Sequence, residues 1–163
     1  MSTNDFTHVN AANQPTMVDV GSKMPTRRTA RAHCRVVLGE ELLRRVQAGE
    51  MPSHKGPVIH TAILAGIMGA KKTADLIPLC HPLGLDDCSI TIEPDGADAL
   101  RVVCTAVVTG RTGVEMEALT GATVAALTLY DMCKAFSPYI TIEGIQLMEK
   151  TGGKKDFHRP ENS

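Results

Sequence analysis

Apolar side chains recur along this chain with two different periods, and each period predicts one kind of element. From Arg28 to Leu38 they fall mainly at every second position, which is typical of a half-buried strand. Residues 40–47 and 58–72 show the spacing of helices instead. The proline- and glycine-bearing residues 52–56 between these two segments are predicted to form a loop.

The second half of the chain repeats this alternation of strand and helix signals. Residues 88–92 and 100–108 are β-rich and are separated by a turn at 94–98, which predicts a hairpin. A long alanine-rich helix is expected over 114–135, and a last strand over 140–148. The order of strand, helices, hairpin, helix and strand predicts an α+β protein of ferredoxin-like character. Its antiparallel sheet should carry helices packed on one face.

Composition limits the class of protein. The chain has 163 residues, of which 43% are hydrophobic, and a formal net charge of -1, which argue against wholesale disorder and against a nucleic-acid partner. We expect a single domain over residues 1–163, with flexible arms at 1–25 and 151–163. Five cysteines without a Cys-x-x-Cys motif, and no signal-peptide pattern, predict reduced thiols in the cytoplasm. No stretch is apolar enough to predict a membrane segment.

A charged pair closes the long helix. No charged residue lies between Ala118 and Tyr130, and Asp131 and Lys134 then follow three residues apart. On a helix that is buried over most of its surface, such charges must be paired, shifted in pKa or exposed to a wet pocket. The pair continues one stripe of the helical wheel, formed by Glu117, Gly121, Val124 and Thr128. Two interpretations stay open: the wall of a functional site, or a structural ion pair.

Two loops carry side chains that suit phosphate binding or proton transfer. Cys80 and His81 lie between prolines that fix the local backbone. Lys55 precedes the start of a helix, where backbone N–H groups attract anions. Each residue taken alone has an ordinary explanation, since a loop histidine can simply bond a carbonyl and a lysine can be solvated. No second Cys or His pair lies at structural spacing, so we expect no structural metal.

Acids at the start of the long helix and lysines near the C-terminus extend this set. Glu115 and Glu117 follow a glycine-bearing segment that lacks the Gly-Lys-Ser/Thr ending of a P-loop. They could accept hydrogen bonds from a base, or could be ordinary acids favoured by the helix dipole. Lys150 precedes Gly152 and Gly153, in a tail that could close over an anion or remain solvated. Cations for a polyphosphate, acids for a base and an Asp/Lys pair together predict a nucleotide-like substrate.

Four segments carry a resemblance to a known family. Residues 17–20 (MVDV), 71–83 (KKTADLIPLCHPL), 113–120 (GVEMEALT) and 129–135 (LYDMCKA) closely resemble the cyclic pyranopterin monophosphate synthase family, the molybdenum cofactor biosynthesis protein C family. The resemblance extends from about residue 8 to residue 157. It implies conversion of (8S)-3',8-cyclo-7,8-dihydroguanosine 5'-triphosphate to cyclic pyranopterin monophosphate, with release of pyrophosphate.

The same resemblance implies a role for individual residues. Asp131 and Lys134 are expected to form an acid/base couple, with Lys55 as a further catalytic residue. Burial that raises the pKa of the aspartate and lowers that of the lysine would suit this role. The implied substrate-binding residues are Arg28, Lys71, Leu79, Cys80, His81, Glu115, Met116, Glu117 and Lys150. Whether Arg27 or Arg28 reaches the triphosphate stays open.

The resemblance also implies an assembly, and it leaves competing functions to be weighed. Members of the family are homohexamers, trimers of dimers with sites at the dimer interface, and they use no protein-bound cofactor, although Mg²⁺ on the substrate triphosphate is compatible with the chemistry. One alternative is a non-catalytic nucleotide-binding or scaffold protein on the same fold. A phosphohydrolase is disfavoured because the chain lacks a P-loop and a metal-ligand set.

Overall fold

The computed structural model describes residues 8–48 and 57–160. Strands and helices follow one another in the order expected from the sequence, with two additional short elements. Along the chain they are β1 (Thr26–Val37), α1 (Glu40–Gln47), α2 (Val58–Lys71), α3 (Thr73–Leu76), β2 (Asp87–Asp95), β3 (Ala99–Gly110), α4 (Glu115–Cys133), β4 (Thr141–Thr151) and β5 (Phe157–His158).

The strands form one antiparallel sheet in the order β2-β3-β1-β4-β5. The central strand β1 alternates as its sequence predicts, since Ala30, Ala32, Cys34 and Val36 are buried while the residues between them are only half-buried. The buried side of β1 faces α4, and the helices cover this face of the sheet. The α+β, ferredoxin-like prediction is therefore confirmed.

The elements depart from the prediction mainly at their ends. β1 begins at Thr26, and β4 runs from Thr141 to Thr151, three residues beyond the end expected from its apolar pattern. α4 is shorter than predicted and spans Glu115–Cys133. Two elements were not predicted: α3 is a single turn, and β5 has two residues that pair with Glu149 and Lys150 of β4. β5 lies in the C-terminal arm.

Small residues let α2 and α4 approach closely. A Cβ atom placed on Gly66 of α2 would lie 2.7 Å from the backbone oxygen of Gly121 and 2.9 Å from Cβ of Ala125 in α4. A Cβ atom on Gly121 would lie 3.3 Å from Cβ of Ala70. Because Gly66 meets Ala125 and Ala70 meets Gly121, the two helices run antiparallel.

This crossing corrects one interpretation of the sequence. The middle of the α4 stripe is not the wall of a site, because Gly121 contacts α2 and Val124 occupies the space beside Gly69. The Thr128 hydroxyl donates to the Val124 carbonyl, 2.8 Å away within the same helix. The stripe is a helix-packing surface in its middle, and only its two ends carry acids.

A small cluster of buried side chains supports the start of α4. Its members come from β1, β3, α4 and the residue just before α4: Ala30, Ala32, Ala106, Val108, Val114 and Ala118. Taking the described residues alone, none of the helices combines the length and the apolar character that crossing a bilayer requires.

Candidate active site at the start of helix α4

A cavity of about 540 Å³ opens beside the first turn of α4. Five segments contribute to its walls: the N-terminal arm, the start of β1, the loop after α3, the residues around the first turn of α4, and the end of β4 with the tail that follows it. Among its lining residues are Arg28, Leu79, Cys80, His81, Glu115, Met116, Glu117 and Lys150. Eight of the nine substrate-binding residues predicted from the sequence therefore line one cavity, although their roles stay predictions.

The cavity also has basic lining residues that were not among those predicted to bind substrate. His8 and Lys23 come from the N-terminal arm, and Lys154 comes from the C-terminal tail. The lysine-rich tail was recognisable in the sequence as a segment that could close over an anion. His8 and Lys23 carried no such signal, because they lie in a polar segment without periodicity.

Cations cluster on one side of this cavity. A neighbouring hollow of about 320 Å³ shares Arg28, Glu115, Lys150 and Lys154 with it and adds Lys155. Lys150 Nζ lies 2.9 Å from Oε1 of Glu115, while Arg28 Nε donates to the Gly110 carbonyl at 3.1 Å. These contacts hold the two cations at the ends of their strands, where a polyphosphate could replace or share them.

Gly152 makes this approach of the tail to β1 possible. Its φ is +82°, in the left-handed region that favours glycine, and a Cβ atom there would collide with the carbonyl oxygen of Arg27. The Gly152 carbonyl accepts a hydrogen bond of 2.8 Å from the Thr26 hydroxyl. The glycine therefore lets the tail turn against β1 beside Arg28.

His81 is oriented by the N-terminal arm. Its Nε2 lies 2.8 Å from the backbone oxygen of Val18, which also lines the cavity. A carbonyl can only accept, so Nε2 must carry a proton, and in the neutral ring Nδ1 is the basic nitrogen. The sequence analysis named a carbonyl-bonded histidine as the ordinary alternative to a site histidine, and His81 is both. It bonds a carbonyl through Nε2, and Nδ1 is left for a ligand or a proton.

Burial raises the pKa of both Glu117 and Cys80. Glu117 is only 4% exposed, and this burial is the main cause that raises its pKa. The Glu115 carboxylate raises the pKa further, whereas a hydrogen bond from the backbone of Glu117 itself lowers it. Burial also raises the pKa of Cys80, and Glu117 adds to this effect. A raised pKa favours the neutral carboxyl group, which can donate as well as accept a hydrogen bond and so suits recognition of a purine or pterin edge.

Asp131 and Lys134 lie at the opposite end of α4. Asp131 is fourteen residues beyond Glu117, a distance of about 21 Å along the helix axis. Lys134 Nζ lies 2.8 Å from Oδ1 of Asp131, and the two side chains are 57% and 46% exposed. The prediction that Asp131 and Lys134 are buried is therefore wrong for the single chain that the structure describes. The pKa of Lys134 is raised by its hydrogen bond to Asp131 and by the charge of that group, instead of being lowered.

Comparison with known proteins adds an independent observation. Residues 17–153 match the model of the MoaC family. The chain belongs to the MoaC family. Cyclic pyranopterin monophosphate synthase of Xanthomonas campestris pv. campestris strain 8004 is 49% identical over 152 residues, which are 93% of this chain and 92% of that protein. The protein of the same name from Listeria monocytogenes serotype 4b strain F2365 is 48% identical over 161 residues, 99% of each chain.

The family match covers most of the cavity of this MoaC-family chain. It begins at Met17, just before the carbonyl that orients His81, and ends at Gly153, after the turn beside Arg28. His8 and Lys154 fall outside the matched range.

Besides Asp131 and Lys134, two further predicted site residues are not part of this cavity as the structure describes it. Lys71 is exposed at the end of α2 and is not among the residues that line the cavity. Lys55 lies outside the described residues. The expectations for both lysines stay predictions.

The donor atoms needed for a metal centre are not clustered in the described ranges. No group of three or more His, Cys, Asp or Glu side chains between residues 8 and 48 or 57 and 160 is arranged to hold a metal ion. In the cavity, Glu115 is already paired with Lys150. The absence of a protein-bound cofactor stays a prediction.

Proposed function

We propose that this protein is a cyclic pyranopterin monophosphate synthase, a lyase of molybdenum cofactor biosynthesis. Its substrate would be (8S)-3',8-cyclo-7,8-dihydroguanosine 5'-triphosphate, and its products cyclic pyranopterin monophosphate and pyrophosphate. One observation carries the proposal: in a chain of the MoaC family, a cavity with cations on one side and a buried acid on the other lies at the start of α4. We further propose that the enzyme acts in the cytoplasm, a compartment compatible with its five free thiols.

The two sides of the cavity suit the two halves of such a substrate. Arg28, Lys150 and Lys154 would bind the triphosphate and neutralise charge that develops on the departing pyrophosphate. Glu117 and His81 would recognise the base: a carboxyl group accepts a hydrogen bond and also donates one when it is protonated, which its raised pKa favours, and Nδ1 of the neutral His81 ring accepts one. The protein lines this side with positively charged side chains, which do not bind a metal ion. Any Mg²⁺ would therefore arrive already bound to the substrate triphosphate.

The acid/base step requires a group from elsewhere. A general acid or base must approach its proton to about 3 Å, directly or through one water. Asp131 of the same chain lies about 21 Å from Glu117 along α4, so it cannot act on a base held by Glu117. We therefore propose a composite site, in which Asp131 and Lys134 of one subunit face the cavity of another.

The outer side of the helical layer supports such a dimer. Leu64 and Met68 of α2 and Leu127 of α4 are 60%, 53% and 54% exposed, which leaves apolar surface uncovered near the middle of α4. A two-fold axis through this region would exchange the two ends of α4 between the subunits. The Asp131 end of one chain would then meet the cavity end of its partner, twice in each dimer, and three such dimers would form the expected hexamer.

Turnover of the cyclised nucleotide tests the activity. We expect the purified protein to release pyrophosphate and the cyclic pterin product, and Asp131→Asn to lose nearly all product formation while keeping its fold and assembly. Asp75→Asn is a matched control, because Asp75 forms an exposed ion pair with Lys72 that also spans three residues. Tight binding of the substrate without turnover by the wild-type protein would instead indicate a non-catalytic binding protein.

Mixing two inactive variants tests the composite site. Asp131→Asn and Lys150→Ala proteins are unfolded together, refolded together at equal amounts and assayed. In a random mixture, about one quarter of the sites would combine an intact Asp131 with an intact Lys150 from the other chain, so activity should return to that level. If both residues act within one chain, no mixed site is intact, and activity that stays at the level of the separate variants would reject the composite site.

A further inference from the structure

Two thiols face each other across the β2–β3 pair. Cys88 Sγ and Cys104 Sγ are 3.9 Å apart. Cys88 lies opposite Ala106 and Cys104 opposite Ile90, so the cysteines are diagonal neighbours on the side of the sheet that faces the helices. We propose that Cys88 and Cys104 form an oxidation site, at which hydrogen peroxide converts the two thiols into a disulfide within the chain.

Exposure assigns different roles to the two thiols. Cys88 is only half-buried and lies on β2, which has a strand on one side alone in the described sheet. Cys104 is fully buried. Peroxide can therefore reach Cys88 first, and Cys104 is placed to react with the oxidised sulfur.

The charge environment also favours Cys88. The pKa of Cys88 is lowered, mainly by its hydrogen bond with Cys104 and also by the charge of Lys71. Burial and the charge of Asp87 raise this pKa but do not outweigh the lowering. Burial raises the pKa of Cys34 to about 12 and that of Cys133 to about 11. Because the thiolate is the nucleophile, oxidation should begin at Cys88.

The reaction balances in two steps. The Cys88 thiolate attacks one peroxide oxygen, the O–O bond breaks, and Cys88 becomes a sulfenic acid while hydroxide leaves. Cys104 sulfur then attacks the Cys88 sulfur, the S–O bond breaks, and the hydroxyl leaves with the Cys104 proton as water. Two thiols are oxidised, one peroxide is reduced, and the protein loses two hydrogen atoms.

The disulfide would change a contact at the crossing of α2 and α4. Cys104 Sγ lies 2.6 Å from the position that a Cβ atom on Gly121 would take, so its sulfur occupies the space left by that glycine. Bonding to Cys88 draws the sulfur out of this space and ties the edge strand β2 to β3. Diagonal cross-strand neighbours lie farther apart than directly opposed residues, so the bond should be strained and easily reduced. The modification should therefore be reversible.

Peptide mapping after peroxide treatment tests the site. The Cys80→Ser variant is the background, because trypsin leaves Cys80 on the same peptide as Cys88, residues 73–101, whereas Cys104 lies on residues 102–111. The purified protein, free of reductant, is treated with hydrogen peroxide, alkylated and digested. We expect the mass of the chain to fall by two hydrogen atoms, the two peptides to be linked, and dithiothreitol to reverse both changes.

Variants decide whether the link is specific. Cys88→Ser and Cys104→Ala should each abolish the loss of mass, and Cys133→Ala should leave it unchanged. Cys104→Ala removes a buried contact, so this variant could fold poorly. Cys88 is only half-buried, and Cys88→Ser therefore keeps the test valid in that case. The proposal is overturned if the peptides remain unlinked, if oxidation falls on Cys34 or Cys133, or if the disulfide joins two different chains.

Discussion

Glu117 is a carboxyl group that the fold removes from water. It is 4% exposed, and burial raises its pKa above the usual value for glutamate. The folded chain therefore binds more protons than the unfolded chain between the usual pKa and the raised one. Stability falls as the pH rises through this interval, so the cost of burying the carboxylate is absent in acid and grows as the pH rises through the raised pKa.

Replacing Glu117 by glutamine should remove this cost. The amide has similar size and its oxygen can still accept from the backbone, but it does not ionise. We expect Glu117→Gln to raise the free energy of unfolding by about 1 kcal/mol at neutral pH, with no gain at a pH below the usual carboxyl range. Urea denaturation at both pH values measures the difference. Glu93→Gln, at an exposed glutamate, is the control, and an equal gain at both pH values would contradict the role of ionisation.

The same variant separates stability from binding. If the protonated carboxyl group of Glu117 donates to the base, the amide N–H₂ can replace that donor, and substrate affinity should survive better in Glu117→Gln than in Glu117→Ala. Isothermal titration with the substrate or a non-hydrolysable analogue distinguishes them. Equal loss of affinity in both variants would show that binding depends on the negative charge of the carboxylate, which neither glutamine nor alanine carries.

Single residues also mark the limit of what the sequence could predict. An uncharged run followed by Asp131 and Lys134 predicted a buried pair, but the run reflects packing of α4 on the sheet and on α2. The helix ends at Cys133, so Lys134 is its C-terminal capping position and reaches solvent. Pairing was correctly included among the outcomes, whereas exposure depends on where the helix ends.

At the scale of elements, glycines decide how α2 and α4 meet. Gly66 has Gly121 and Ala125 against it, and a side chain there would also collide with Ile90 of β2. Two effects oppose each other on substitution by alanine. Alanine favours a helix over glycine by about 1 kcal/mol, but overpacking usually costs about 1–3 kcal/mol.

The overpacking should dominate in Gly66→Ala. The nearest neighbours include the backbone oxygen of Gly121, 2.7 Å from the new Cβ, which cannot rotate away as a flexible side chain would. We expect a net loss of about 1 kcal/mol or more in the free energy of unfolding, measured by chemical denaturation. Gly84→Ala is the matched control, because nothing lies within 4 Å of its added Cβ, and it should be neutral or slightly stabilising. A Gly66→Ala protein more stable than wild type would contradict the close crossing.

Elements with a clear period were predictable, and short elements were not. β1 has a buried residue at every second position from Ala30 to Val36, so its sequence alone identifies it. α3 has four residues and β5 has two, too few for either period to be recognised. β5 exists because the turn after Thr151 brings Phe157 beside Lys150, a contact that depends on tertiary structure.

At the scale of the whole molecule, distance along the chain misleads about distance in space. Residues from five separate segments converge at the start of α4, and the sequence motifs named several of them. The same motifs also named Asp131 and Lys134, which lie about 21 Å away along one rigid helix. The helix predicted over 114–135 already implied this separation, since fourteen of its residues span about 21 Å. A second subunit is the simplest way to join the two groups, which is why the assembly and the activity should fail together.

Charging the exposed helical surface tests this dependence. Leu127 is 54% exposed in the single chain, so Leu127→Arg should leave the fold of that chain intact, with an unchanged circular dichroism spectrum. If this surface is covered by a second subunit, a buried arginine without a partner should disrupt the contact. We expect smaller particles by light scattering and loss of nearly all turnover. Met24→Arg, at a methionine that is 80% exposed, should keep both the particle size and the turnover. A folded Leu127→Arg monomer with full activity would show that one chain holds a complete site, and would reject the composite arrangement.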